Sequence, residues 1–188
     1  SGRPFVVIDR HHPDWDVPTV LTDNVEAMHL AINAIREQGA RKIEMVSYGM
    51  RVSSMTDREE SFREVLGRKA NIYHLPFNIT EAEADKVADK VMDKGTDGLI
   101  MASNVPAVAV LKALYRKGVR IQKDIRIVSF DYSNVYSFFT PSITYIQQPL
   151  AQIADQAGEY LFRLIEMKDA GEDFGNVKDK ITLKATLV

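Results

Sequence analysis

The sequence predicts an α/β protein built on a doubly wound parallel sheet with helices on both faces. Three observations carry that expectation. Short, continuous apolar runs alternate with amphipathic stretches of helical length along most of the chain. The apolar runs are unbroken rather than alternating, as parallel strands covered on both faces require. Helix start and stop signals separate them, and strands joined by helices of ten to fifteen residues imply right-handed crossovers.

Taken in order, the predicted strands are Phe5–Ile8, Ile43–Val46, Ile72–Leu75, Gly98–Met101, Ile125–Phe130 and Ile143–Ile146. The first helix carries Val25, Met28, Ile32 and Ile35 on one face and stops at Gly39. The second opens on Thr56-Asp57-Arg58-Glu59 and the third on Thr80-Glu81-Ala82-Glu83. In each, Thr-x-x-Glu fits a capping box, where hydroxyl and carboxylate satisfy free backbone N–H groups. Gly67 and Gly95 then permit left-handed C-terminal caps. A fourth helix runs from about Asn104 to Lys117, and a fifth starts at Pro149, a favoured first helical residue, and ends near Lys168. The stretch "AGEDFGN" reads as a polar loop, and "KITLKATLV" as one last strand.

Composition narrows the function classes. The chain has 188 residues, 45% hydrophobic and 27% charged, enough apolar material for a sizeable core. Its formal net charge of −2 gives no electrostatic footprint for nucleic acid. It has no cysteine, which removes disulfides, thiolate chemistry and cysteine-held zinc and allows a reducing compartment. No run approaches the length of a membrane span, and no signal peptide opens the sequence.

In open parallel sheets ligands bind beyond the carboxyl ends of the strands. That rule selects Asp9 and Arg10, the loop Ser47 to Met55 leading to Arg58, Phe77 and Asn78, Ser103 and Asn104, Asp131 and Tyr132, and Gln147 and Gln148. Carboxylate, guanidinium and amide groups with aromatics nearby suit a polyhydroxylated or polar-ring ligand better than a catalytic centre. Each has a plainer alternative. Asp131, at the end of "RIVSFD", is a turn or cap former; Ser103 and Asn104 are good N-caps; Arg58 in a first turn is a solvated side chain, poorly placed for the helix dipole. The phosphate-loop, GxGxxG, GxSxG and HExxH patterns are absent, so no catalytic residue is assigned and no enzyme or cofactor is expected. "HHPDWD", residues 11–16, contains two His and two Asp, but adjacent histidines point apart and Pro13 reads as a connecting loop, so no metal site is assigned.

Several segments, in order, resemble the regulatory domain of the LacI/GalR family of transcription factors: "PFVVIDR", "VLTDNVEAMHLAINAIREQGARKI", "DREESF", "DGLIMASN", "RKGVRIQKDIRIVSFDYSNV" and "TPSITYIQQPLAQIADQAGEYLF". The resemblance implies a periplasmic-binding-protein-like (type I) lobe. Residues 1–10 would be the last strand of an N-terminal lobe, 11–148 the C-terminal effector-binding lobe, 149–168 a helix returning to the first lobe, and 169–188 a loop and final strand. It implies effector contacts at Arg58, Asn104 and Asp131, sometimes joined by Asp9 and Gln148. Ser61, Val105 and Ala40 depart from the family pattern, the first two near the expected site. The implied function is sensing of a small-molecule effector, a sugar or sugar derivative, in a cytoplasmic homodimeric regulator. Such a regulator meets DNA only through a helix-turn-helix outside this chain and does not engage membrane; the alternative is the solute-binding protein of a sugar transporter. Phe138 and Phe139 are expected at the dimer contact. The apolar stripe of the last helix (Leu150, Ile153, Ala154, Ala157, Leu161, Leu164, Ile165) is expected to exceed what one strand, "PFVVID", covers.

Overall fold

The computed structural model describes residues 2–10, 15–50 and 52–188. The chain forms β1 (Val7–Ile8), β2 (Thr19–Thr22), α1 (Asn24–Glu37), β3 (Ile43–Tyr48), α2 (Ser53–Leu66), β4 (Ile72–Leu75), α3 (Glu81–Asp93) and β5 (Gly98–Met101). It continues with α4 (Asn104–Arg116), β6 (Arg126–Phe130), a 3-10 helix at Asn134–Phe138, β7 (Thr144–Gln147), α5 (Leu150–Asp169), β8 (Lys180–Leu183) and β9 (Thr186–Leu187).

These strands make two sheets. The larger has the order β4-β3-β5-β6-β7-β9, parallel except for β9, which runs antiparallel to β7. Helices α1 and α2 bury Met28, Ile32, Ile35, Met55 and Phe62 on one face, against Met45, Ile100, Val128 and Phe130. Helices α3 and α4 bury Val87, Val91, Val110 and Leu114 on the other, against Val46, Leu99, Met101 and Ile127. Each such fully buried side chain contributes about 1.5–3 kcal/mol, which makes the two-sided sheet the stable unit. The smaller sheet has the parallel order β1-β2-β8. It packs on α5 through Val20, Ile153, Tyr160 and Leu164.

The chain passes from one sheet to the other at three places: from β2 into α1, from β7 into α5, and from β8 into β9. All three crossings lie together. The Asp23 N–H donates to the Leu183 carbonyl, the Thr22 hydroxyl to Gln148 Oε1, and Lys184 pairs with Glu26. Two small α/β units therefore meet along one three-stranded seam.

Four sequence expectations change. The boundary after residue 10 does not hold, because Thr19–Thr22 is a buried strand that pairs with β1 and β8 in the smaller sheet. The final strand is two strands, split at Lys184-Ala185, one in each sheet. The α5 stripe meets three strands rather than one; Ile153, Tyr160 and Leu164 are buried, while Leu150, Phe162 and Ile165 stay exposed. Helix α2 starts at Ser53, three residues before the expected capping box. Its cap residue Val52 makes no side-chain bond, and Glu59 instead meets His74 and Arg63. The Thr80–Glu83 capping box does form, with both reciprocal bonds.

Candidate functional site

The earlier start of α2 decides the fate of Arg58. Buried residues recur at Ser54, Met55, Arg58, Ser61 and Phe62, a helical stripe with Arg58 at its centre. Arg58 is therefore in the second turn and 2% exposed, not a solvated first-turn residue. Its Nε donates to Asn24 Oδ1 at 2.7 Å and an Nη1 hydrogen to the Ala102 carbonyl at 2.7 Å. The guanidinium carbon lies 4.1 Å from the centre of the Phe130 ring, within cation–π range. Burial pulls the Arg58 pKa down to about 10, opposed by the nearby charges of Asp131 and then Asp9, so the group is a cation at neutral pH. Among the described residues, three of its five N–H donors remain for a further partner.

The two acids facing it sit in equivalent positions. Asp9 follows β1 and Asp131 follows β6, and both have left-handed backbones, with φ of 61° and 64°. That conformation costs a non-glycine residue about 1–2 kcal/mol and suits Asp and Asn best among side-chain-bearing residues. Asp131 is not a helix cap. Its N–H donates to the Ile146 carbonyl, and its Oδ1 accepts from Gln148 Nε2 at 2.7 Å.

Asp9, Arg58, Asp131 and Gln148 line one cavity of about 40 Å³ together with Tyr48, Met55, Phe77 and Ser103. This space holds little more than a water molecule or two. Asn104 is not in it. It lines an adjoining open cavity of about 760 Å³ that shares Asp131 and Gln148 and is walled by Tyr132 and Tyr145. The Asn104 amide donates to the Tyr132 carbonyl, leaving its Oδ1 as an acceptor. Small-molecule sites run to roughly 300–1,000 Å³, so a ligand would occupy the open cavity, beside the narrow charged one that shares Asp131 and Gln148 with it. Tyr132 and Tyr145 pack at 5.4 Å between ring centres, tilted by 57°, an apolar wall suited to the face of a ring.

The departures Ser61 and Val105 do not lie at this site. The Ser61 hydroxyl donates to the Val25 carbonyl on α1, and Val105 lines a groove between α3 and α4. Ala40 packs in the core beside Gly98. The histidines and Asp of "HHPD" lie outside the described residues; Asp16 pairs with Lys178. Among the described residues no histidine lines either cavity, and no three acidic or histidine side chains gather as a metal site. Away from the site, the buried acid Glu44 accepts from the Tyr73 and Thr96 hydroxyls at 2.7 Å each, beside Lys94. Sequence reasoning missed Thr22 and Asn24, both buried and both bonded to the site. The motif "TDN" carries them, and the strand that ends on Thr22 was the lost signal.

The profile of the periplasmic binding protein-like domain family matches residues 32–186. The chain belongs to that family. Among curated relatives of this periplasmic binding protein-like domain is the ribose operon repressor of Halalkalibacterium halodurans, 29% identical over 186 residues, covering 97% of this chain and 56% of that protein. Another is the transcriptional repressor CytR of Escherichia coli, 26% identical over 161 residues, covering 82% of this chain and 47% of that protein. The chain thus spans about half the length of the curated relatives it matches. A LacI-family regulator from Enterococcus faecalis solved with bound ribose superposes with a TM-score of 0.81 at 19% identity, covering 98% of this chain and 66% of that one. A protein from Alkaliphilus metalliredigens complexed with D-xylulofuranose gives 0.76 at 24% identity, covering 98% and 68%. These likenesses carry the fold and agree with the family resemblance drawn from the sequence.

Proposed function

We propose that this domain senses a small polyhydroxylated effector, a sugar or sugar derivative, for a LacI/GalR-type transcriptional regulator. The observation that carries the reading is the opposition of the buried Arg58 cation to the strand-end carboxylates Asp131 and Asp9, adjoining an open cavity with a tyrosine wall. A carboxylate takes two sugar hydroxyls as acceptor, Arg58 donates to a third, and Gln148 and the Asn104 carbonyl oxygen complete the set. Relatives named as repressors and neighbours solved with ribose and D-xylulofuranose support the class of ligand. The repressor names also favour a regulator over the transporter receptor that shares the fold, and favour binding over catalysis. DNA contact would belong to another segment of the intact protein, working in the cytoplasm.

The effector acts by preferring one relative setting of the two sheets, since only differential affinity shifts such an equilibrium. A homodimer would form through the apolar groove of about 860 Å³ between α4 and the 3-10 helix. There Phe138 and Tyr115 are 81% and 71% exposed, while Phe139 packs on the core and is not an equal partner. A thermal-shift series on the full-length protein with pentoses, hexoses and nucleosides tests the ligand class. A ligand at a hundredfold its Kd adds about 2.7 kcal/mol, or about 5–10 °C in a domain of this size. No shift with any sugar or nucleoside would reject the class.

A further inference from the structure

The residues around Asp131 form a hydrogen-bonded circuit that crosses the seam between the sheets. Arg58 Nε donates to Asn24 Oδ1, and Asn24 Nδ2 donates to the Thr22 carbonyl at 3.2 Å. The Thr22 hydroxyl donates to Gln148 Oε1 at 2.8 Å, and Gln148 Nε2 donates to Asp131 Oδ1 at 2.7 Å. Every bond has the same sense, from cation to anion. The chemistry fixes that sense. A carboxylate only accepts, so Gln148 must turn its NH2 to Asp131 and its oxygen to Thr22; a backbone carbonyl only accepts and Arg only donates, so the Asn24 amide is fixed as well.

Thr22 stands apart from the other members. It is the last residue of β2, in the smaller sheet, and it is buried. It lines neither cavity. Its side chain reaches Asp131 through the Gln148 side chain, which hangs between β7 and α5 at one of the three crossings. Without the Thr22 hydroxyl the Gln148 amide has no donor on its oxygen, is free to rotate, and no longer holds Asp131 Oδ1.

We propose that Thr22 is a positioning residue of the ligand site, acting through Gln148 to aim the Asp131 carboxylate and so making ligand recognition depend on how the two sheets are set. The proposal rests on the effector reading above. A ligand that draws Asp131 toward itself loosens Gln148 from it, and the strain passes to β2 through Thr22. The smaller sheet thus reports on occupancy of a carboxylate carried by the larger one.

The test uses the full-length protein, with D-ribose as the probe, and three variants: Thr22→Val, which keeps the shape, Thr22→Ser, which keeps the hydroxyl, and Asp131→Ala. Loss of one net hydrogen bond is worth about threefold to tenfold in affinity. Thr22→Val weakens ribose binding by that factor, Thr22→Ser restores it, and Asp131→Ala with Thr22→Val is no weaker than Asp131→Ala alone. Wild-type affinity in Thr22→Val, or equal losses in Val and Ser variants, overturns the proposal. A second arm needs no ligand. In urea unfolding, Asp131→Ala shifts the midpoint differently in the Thr22→Val background than in wild type, although the two side chains do not touch. If ribose does not bind the wild type, the pentose reading fails, and this arm alone decides: additive midpoints overturn the circuit, and non-additive midpoints sustain it.

Discussion

Replacing Arg58 by Met removes the charge from the centre of the α2 stripe while keeping an unbranched side chain of related length. Two acceptors lose their donor, Asn24 Oδ1 and the Ala102 carbonyl. Leaving a buried acceptor unpaired costs about 1–3 kcal/mol. The contact with the Phe130 ring adds about 0.5–2 kcal/mol, and the opposing charge that faces Asp131 from Arg58 is lost. Against this stands relief from burying a guanidinium, which is why the net loss is set near the value for breaking a buried pair, about 3–5 kcal/mol. At about 2–4 °C per kcal/mol for a chain of this size, Tm falls by about 6–20 °C. Differential scanning calorimetry, checked by urea unfolding, measures it. The double variant Arg58→Met/Asn24→Leu removes one orphaned acceptor and loses less than the sum of its singles, by at least about 0.5 kcal/mol. A Tm within about 2 °C of wild type for Arg58→Met alone would refute the reasoning, because it would make the buried fork energetically idle.

Three other outcomes follow from the packing. Gly98→Ala places a Cβ 2.7 Å from the Ala40 Cβ and 3.1 Å from Ile43 Cγ1, so overpacking lowers stability by about 1–3 kcal/mol in urea unfolding. The Tyr136 hydroxyl is raised to about 12, chiefly by burial, while the Ser129 bond acts the other way and Asp131 adds to the rise. The unfolded chain loses this proton near pH 10 and the native chain near 12, so this contribution to stability is complete below about pH 10 and lost between those values, read by unfolding against pH. If the groove carries the proposed homodimer contact, Phe138→Ser, at an exposed position there, weakens self-association in sedimentation equilibrium without lowering Tm, whereas Phe139→Ser lowers Tm, since that ring packs on the core.

The larger sheet was legible because its strands are continuous apolar runs with turn signals at both ends, and the strand-end rule, applied along the whole chain, picked out Asp9, Arg58, Asp131 and Gln148, which line one cavity. What escaped has physical causes. Strand β2 is "TVLT", with two buried threonines, and its partners β1 and β8 are set by long-range pairing that no local pattern reports. The tail changes sheets at Lys184-Ala185 with no Gly or Pro to mark it. In α2 a local capping signal lost to burial: the turn at Ser53–Met55 adds Ser54 and Met55 to the stripe, and the Thr56–Glu59 box has no helix start to cap. Missing β2 hid Thr22 and Asn24, and with them the bonds that hold Arg58 and Gln148 in place.

The central claim is that Asp131 holds a polyhydroxylated ligand at the seam between the sheets. Isothermal titration of the full-length protein with the sugar that most raises its Tm, compared between wild type and Asp131→Ala, tests it most directly. A hydrogen bond to a charged group is worth about 1.5–3 kcal/mol, so affinity should fall by about tenfold to a few hundredfold while the fold is kept. Equal affinity in the two proteins would contradict the claim and place the ligand elsewhere.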